Sequence, residues 1–317
     1  MELTIVDDEQ VTALTPWPAL IDAIRDAFRY GGVSPARHQH SIPGKAREDI
    51  NLLLMPAWNR DGDFGTKLAT VAPSNAALGQ PSLHGVYVLF AGATGIPRAI
   101  LDAGALTARR TAAASALASR YLSRPDSKTL LVIGTGRVAR QLIAAHCSVR
   151  PIDEVRIWGR NAAHAEDAAD EASRETGVRC VCVPDVEAGT SGADIISSAT
   201  PSEEPLLLGG WVGPGTHVDL VGAYKPTMCE ADAEVIGRAD QVFIDTMEGA
   251  IEEAGDLIQA VQAGTFSFDE VAGDMFRMSS GDASLRNDSN EVTLFKSVGS
   301  ALQDLAAAQL CVEQFQA

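Results

Sequence analysis

The sequence predicts an α/β protein in two parts, a doubly wound parallel sheet and a smaller α+β domain, and three observations carry that expectation. From residue 129 onward, apolar runs at 130–133, 155–158, 179–183, 194–198, 217–221 and 241–245 alternate with segments mostly long enough for a crossover helix. The first run, Thr129-Leu-Leu-Val-Ile133, passes straight into Gly134-Thr135-Gly136-Arg137-Val138-Ala139 and then into an amphipathic stretch. Residues 1–118 instead show strand-like runs punctuated by Pro and Gly. The strand, glycine turn and helix together make a Rossmann-type dinucleotide-binding construction. Gly134 permits the tight turn, Gly136 lets backbone approach a pyrophosphate, and Ala139 allows close helix–strand packing.

The elements follow in order. A helix is expected at about 17–30, then strands at 51–56, 65–71, 85–90 and 97–101, and a long Ala-rich helix from Leu106 to Ser123. The six apolar runs predict a six-stranded, mainly parallel sheet, with ligands at the carboxyl ends of its strands. Thr293 to Leu310 reads as a second Ala-rich helix that packs back on the first domain. The domains are therefore 1–118, completed by a C-terminal helix 293–317, and a dinucleotide domain at 119–292.

The net charge of −17 argues against a polyanionic partner, since nucleic-acid binders present a basic face. No apolar run approaches the ~18 residues of a membrane span, and Met1-Glu-Leu-Thr-Ile-Val-Asp-Asp-Glu9 is acidic where a leader is basic. Five scattered cysteines fit a reducing, cytoplasmic setting. No metal site is expected. Cys180 and Cys182 lack a second ligand pair, and His38 and His40 read as surface strand histidines.

Certain polar residues lack an ordinary explanation. Arg160, at the end of the second apolar run, stands where a carboxylate would take the ribose hydroxyl of NAD; an Arg there suits the extra phosphate of NADP, so NADPH is expected over NADH. Arg109 and Arg110 fall near the expected start of the long helix, where the dipole favours acids, and an anion held there would account for them. Lys67 interrupts an apolar strand, with a snorkelling lysine as the plain alternative. His84 is kept as a candidate proton donor. His146, His164 and His217 read as structural.

Taken in order, Leu54-Met55-Pro56-Ala57-Trp58, Thr66-Lys67-Leu68, Leu106 through Ser115, Gly134 through Ala139, Ser198-Ala199-Thr200-Pro201, Val221-Gly222-Ala223-Tyr224-Lys225-Pro226 and Phe295-Lys296-Ser297-Val298-Gly299 resemble the ornithine cyclodeaminase/μ-crystallin family over nearly the whole chain. The resemblance implies a homodimer in which Arg110 and Lys67, with Arg37 as a further cation, hold a substrate carboxylate. It also implies that Ala199 and Thr200 line the cofactor and that Val298 and Gly299 lie beside the nicotinamide. The family's cyclodeaminases carry a glutamate where this chain has Leu53 and an aspartate where it has Ala223. Without those carboxylates a substrate ammonium has no partner. The pattern therefore resembles the NADPH-dependent reductases of cyclic ketimines such as Δ1-pyrroline-2-carboxylate. Ornithine cyclodeamination, an alanine- or opine-type dehydrogenase, and a non-catalytic NADPH-bound binding protein are the alternatives.

Overall fold

The computed structural model describes residues 3–44, 49–60, 62–283 and 285–316. Met1, Glu2 and Ala317, which close the domain ranges given above, lie outside them. The chain divides into two compact units, 1–110 with 300–317, and 111–299.

The first unit opens with β1 (Thr4–Val6), α1 (Asp8–Ala13) and α2 (Trp17–Arg29). Asp7 caps α1 in a reciprocal box with Gln10, and α2 buries Leu20, Ile21, Ile24 and Phe28 along one face. Then come β2 (His38–Ile42), β3 (Ile50–Trp58), β4 (Phe64–Val71), β5 (Leu83–Phe90), β6 (Pro97–Asp102) and α3 (Ala103–Leu122). The six strands form one sheet in the order β1-β6-β5-β4-β3-β2, antiparallel except for β1 beside β6. Alternation along β3 and β4 buries Leu53, Met55 and Ala57 with Gly65, Lys67, Ala69 and Val71 on one face.

The second unit continues from α3 through β7 (Thr129–Ile133), α4 (Arg137–Cys147), β8 (Glu154–Trp158), α5 (Ala162–Thr176), β9 (Arg179–Cys182), α6 (Val186–Thr190), β10 (Ile195–Ser198), β11 (His217–Leu220), α7 (Ala233–Arg238), β12 (Gln241–Ile244), α8 (Met247–Glu253), α9 (Gly255–Gln262), β13 (Val271–Asp274), α10 (Met275–Ser280) and β14 (Thr293–Lys296). Its sheet is parallel, in the order β13-β12-β14-β11-β10-β7-β8-β9. The inner strands β10, β11 and β14 are buried at every position, without alternation, because helices cover both faces. Helix α11 (Ala301–Gln316) returns to the first unit and packs on α2 and on the Lys67 face of β3, β4 and β5.

Three sequence expectations are corrected. The sheet has eight strands rather than six, because β13 is short and Gly-containing and β14 was hidden in an expected helix. The segment 293–317 is not one helix: Thr293–Lys296 is a fully buried strand between β11 and β12, and the helix begins only at Ala301, after Gly299 at φ +85°. The long helix starts at Ala103 rather than Leu106, so Arg109 and Arg110 sit about two turns inside it, away from its N-terminal dipole.

Candidate functional site

In the second unit the chain leaves β7 at Gly134, whose φ of +123° and amide bond to the Trp158 carbonyl (2.8 Å) fix the turn. A Cβ at Gly134 would come 2.8 Å from the Ala199 carbonyl oxygen, whereas one at Gly136 would meet nothing within 4 Å. Gly136 thus faces open space at the start of α4, where, among the described residues, no side chain caps the first amides. The adjoining cavity, about 380 Å³, is lined by Gly134, Thr135, Gly136, Trp158 to Asn161, His164, Ala199 to Ser202 and Leu206. An open glycine cradle beside uncapped helix amides fits a dinucleotide pyrophosphate. Among the described residues none that lines the cavity is acidic, and the exposed Arg160 lines it.

Of the residues expected at the cofactor, Gly134, Thr135, Gly136, Arg160, Ala199 and Thr200 share this cavity. Arg137, Val138 and Ala139 form the first turn of α4, with Ala139 buried as the packing residue. Val298 and Gly299 follow β14 instead. Their amides donate to Asp245 Oδ2 at 3.0 and 2.7 Å, joined by the Ser297 hydroxyl at 2.8 Å. His164, read as structural from sequence, lines the cavity near the N-terminus of α5. Its alanine-rich surroundings gave no sign of this.

In the first unit, Lys67 and Arg110 meet on one carboxylate that the sequence reading missed. Lys67 Nζ lies 2.8 Å from Asp304 Oδ2, and Arg110 Nε lies 2.8 Å from Oδ1, with all three side chains at most 5% exposed. Arg110 Nη1 also donates to Gln303 Oε1 at 2.8 Å. A lone acid in the apolar run of α11 was the available signal. Burial and the Arg110 and Arg37 charges pull the Lys67 ammonium down to about 7, although Asp304 opposes them. Burial would raise the Asp304 carboxyl, but Arg110 and Lys67 overcome it and hold it below its ordinary value. Arg37 is half-buried and within electrostatic reach of Lys67. Tyr87 pairs with Lys67 across β4 and β5, and burial, then Asp304, pushes its hydroxyl well above the usual phenol range.

Two other expectations resolve differently. Arg109 is tied to Thr15, whose hydroxyl and carbonyl both accept from it, and lies 3.5 Å over the Trp17 ring, so it is structural. His84 does not join Lys67. It pairs with Thr70, and pleat alternation puts that pair on the opposite face of the sheet from Lys67 and Tyr87, with the imidazole exposed. Leu53 is buried on the Lys67 face, where β3 pairs Leu53 with Ala69 and Met55 with Lys67. Ala223 is fully buried after β11.

The model of the ornithine cyclodeaminase/mu-crystallin family matches residues 2–317. The chain belongs to that family. It is 37% identical to the Δ1-pyrroline-2-carboxylate reductase of Colwellia psychrerythraea, over 98% of this chain and 99% of that protein. Among solved structures it resembles Thermococcus litoralis Δ1-pyrroline-2-carboxylate reductase in complex with NADH and L-proline, with a TM-score of 0.94, 29% identity and coverage of 99% and 98%. It also resembles the iminosuccinate reductase of Paracoccus denitrificans in complex with NAD+, with a TM-score of 0.90, 26% identity and coverage of 100% and 97%.

Proposed function

We propose that this chain reduces a small cyclic imino acid, Δ1-pyrroline-2-carboxylate or its six-membered homologue, to the L-amino acid with a reduced nicotinamide cofactor. The observation that carries this reading is the charge count at Asp304: two buried cations, Lys67 and Arg110, share one carboxylate. A substrate carboxylate neutralises that excess, while Leu53 and Ala223 offer nothing to a second, cationic group. The relatives named for pyrroline-2-carboxylate reduction support the same substrate class.

When bound, the nicotinamide supplies the hydride that adds to the imine carbon. Gly134, Thr135, Gly136 and the first turn of α4, from Arg137 through Val138 to Ala139, would hold the pyrophosphate, and Ala199, Thr200, Val298 and Gly299 would border the nicotinamide. Arg110 fixes the substrate carboxylate with its guanidinium, assisted by Arg37. Lys67 keeps its contacts with Asp304 and with the Thr107 hydroxyl, at 3.2 Å, and turns its remaining N–H to the substrate. An ammonium near pH 7 is well matched to protonate the imine nitrogen as the carbon is reduced, so the donor role passes from His84 to Lys67.

Arg160, in a cavity where no described lining residue is acidic, favours NADPH over NADH. The outer face of the first unit's sheet carries Leu68 paired with Val86 and Ile42 paired with Ile50, each more than a third exposed, which supports burial against a second copy in a homodimer. Among the described residues no helix is long and apolar enough to cross a membrane, and five free cysteines suit a reducing cytoplasm. The test is loss of reduced-cofactor absorbance with five- and six-membered cyclic imines, set against ammonia release from ornithine with oxidised cofactor. Ornithine turnover matching imine reduction would overturn the proposal.

A further inference from the structure

Glu230 is a buried carboxylate outside every role assigned so far. It follows β11 by a loop, is 0% exposed, and lies in no motif that suggested function. Its Oε1 accepts from the Ser198 hydroxyl at 2.6 Å, the Thr200 amide at 2.7 Å and the Thr200 hydroxyl at 3.1 Å. Its Oε2 accepts from the amides of Gly222 at 2.6 Å and Ala223 at 3.1 Å. Those donors belong to the turns leaving β10 and β11, neighbouring strands on the side of β7 away from Arg160. In a doubly wound sheet the cofactor's two halves lie on opposite sides of the first strand, so these turns serve the nicotinamide half.

The carboxylate is itself held from beneath. Its own amide donates to Asp256 Oδ1 at 2.6 Å, and Asp256 Oδ2 is 2.7 Å from Lys296 Nζ in a fully buried ion pair. Burial raises the Glu230 carboxyl to about 7 against the pull of Lys296, and the Ser198 and Thr200 bonds also favour the ionised form. Leaving so many donors aimed at a buried acid is costly unless the acid accepts from them all. No neutral side chain of this size offers two acceptor oxygens. A Cβ at Gly222 would lie 2.2 Å from the Thr200 amide nitrogen, so the two turns touch and Glu230 locks them as one piece.

We infer that Glu230 is the positioning residue that sets the nicotinamide-side turns at Thr200 and Gly222-Ala223, acting through their backbone without touching the cofactor. The inference rests on the reductase reading for its kinetics but not for its binding test. In Glu230→Gln an amide nitrogen replaces one oxygen and faces either the Thr200 donors or the Gly222 and Ala223 amides, so one turn is released. Dissociation constants are measured for NADPH, NADH and ADP-ribose, which lacks the nicotinamide, together with amide hydrogen exchange of the second unit and kcat on a cyclic imine.

The expected result is ADP-ribose binding within about threefold of native, reduced-cofactor binding weakened at least about tenfold, and faster exchange confined to the two turns. The kcat falls by about thirtyfold or more. Ser198→Ala removes one donor without altering charge and shifts the same ratio in the same direction by a smaller factor. Equal weakening of ADP-ribose and reduced cofactor, or no change in either variant, overturns the inference. If native protein reduces no cyclic imine, the substrate reading fails while the binding ratio still decides the role of Glu230.

Discussion

Replacing Asp304 with Asn removes the charge that Lys67 and Arg110 share while keeping the side chain's shape. Taking one partner from a buried ion pair costs about 3–5 kcal/mol, and Lys67 can escape part of that cost by losing its proton. Its ammonium already sits at about 7, and Asp304 is the main influence holding it up. If about 3 kcal/mol of support is withdrawn, the value falls by about two further units. At pH 7 the protonated fraction then drops from about one half to about one in a hundred, and a step that needs that proton slows about fiftyfold.

The sign follows from the same numbers. Lys67 donates below its pKa, so native kcat/KM falls as pH rises through about 7, and the variant's fall comes about two units lower. Cyclic-imine reduction is measured across pH for both proteins, with cofactor affinity and melting temperature as controls. The substrate's own ionisation is common to the two profiles and cancels in their ratio. A variant within about threefold of native at pH 7, with its alkaline limb unmoved, would refute both the shared-carboxylate argument and Lys67 as donor.

Other expectations test the remaining parts of the site. Arg160→Ala should reduce the preference for NADPH over NADH by about tenfold to a hundredfold, read from the two dissociation constants, because a charge-assisted contact contributes about 1.5–3 kcal/mol. Arg110→Ala should remove most turnover while leaving cofactor binding near native, and near-native kcat/KM in that variant would misplace the carboxylate clamp. Leu53→Glu with Ala223→Asp should weaken imine reduction and favour ornithine binding over native, measured by competition, because each replaces a buried apolar side chain with a carboxylate.

The parts legible in the sequence were those with a strong local pattern. Gly134 to Ala139 gave the turn, and the alternation at 65–71 gave β4 with Lys67 in it. What escaped was decided by distant partners. Thr293–Lys296 runs into an Ala-rich helix and reads as its first turn, yet β11 and β12 claim it from either side. Asp304 looked like one acid in a helix, and its meaning appears only where β4 and α3 bring Lys67 and Arg110 to it. His84 drew notice by its place before a strand, and pleat puts it on the face opposite Lys67, a property of register rather than composition. Glu230 and Asp245 act through backbone amides, which no residue pattern announces.

The position of β14 and α11 bears on how this chain reaches its native state. β14 is inserted between β11 and β12, so a nascent chain that stops short of residue 293 has only seven of the sheet's eight strands, with a gap in its interior. α11 brings the counter-ion for two cations emplaced some 200 residues earlier in synthesis, since Asp304 is 194 positions from Arg110. Neither unit can close as the ribosome delivers it, and both are completed by the same short stretch, 293–316. Folding is therefore expected to finish in one late, cooperative step after that stretch is released, with high contact order and slow kinetics.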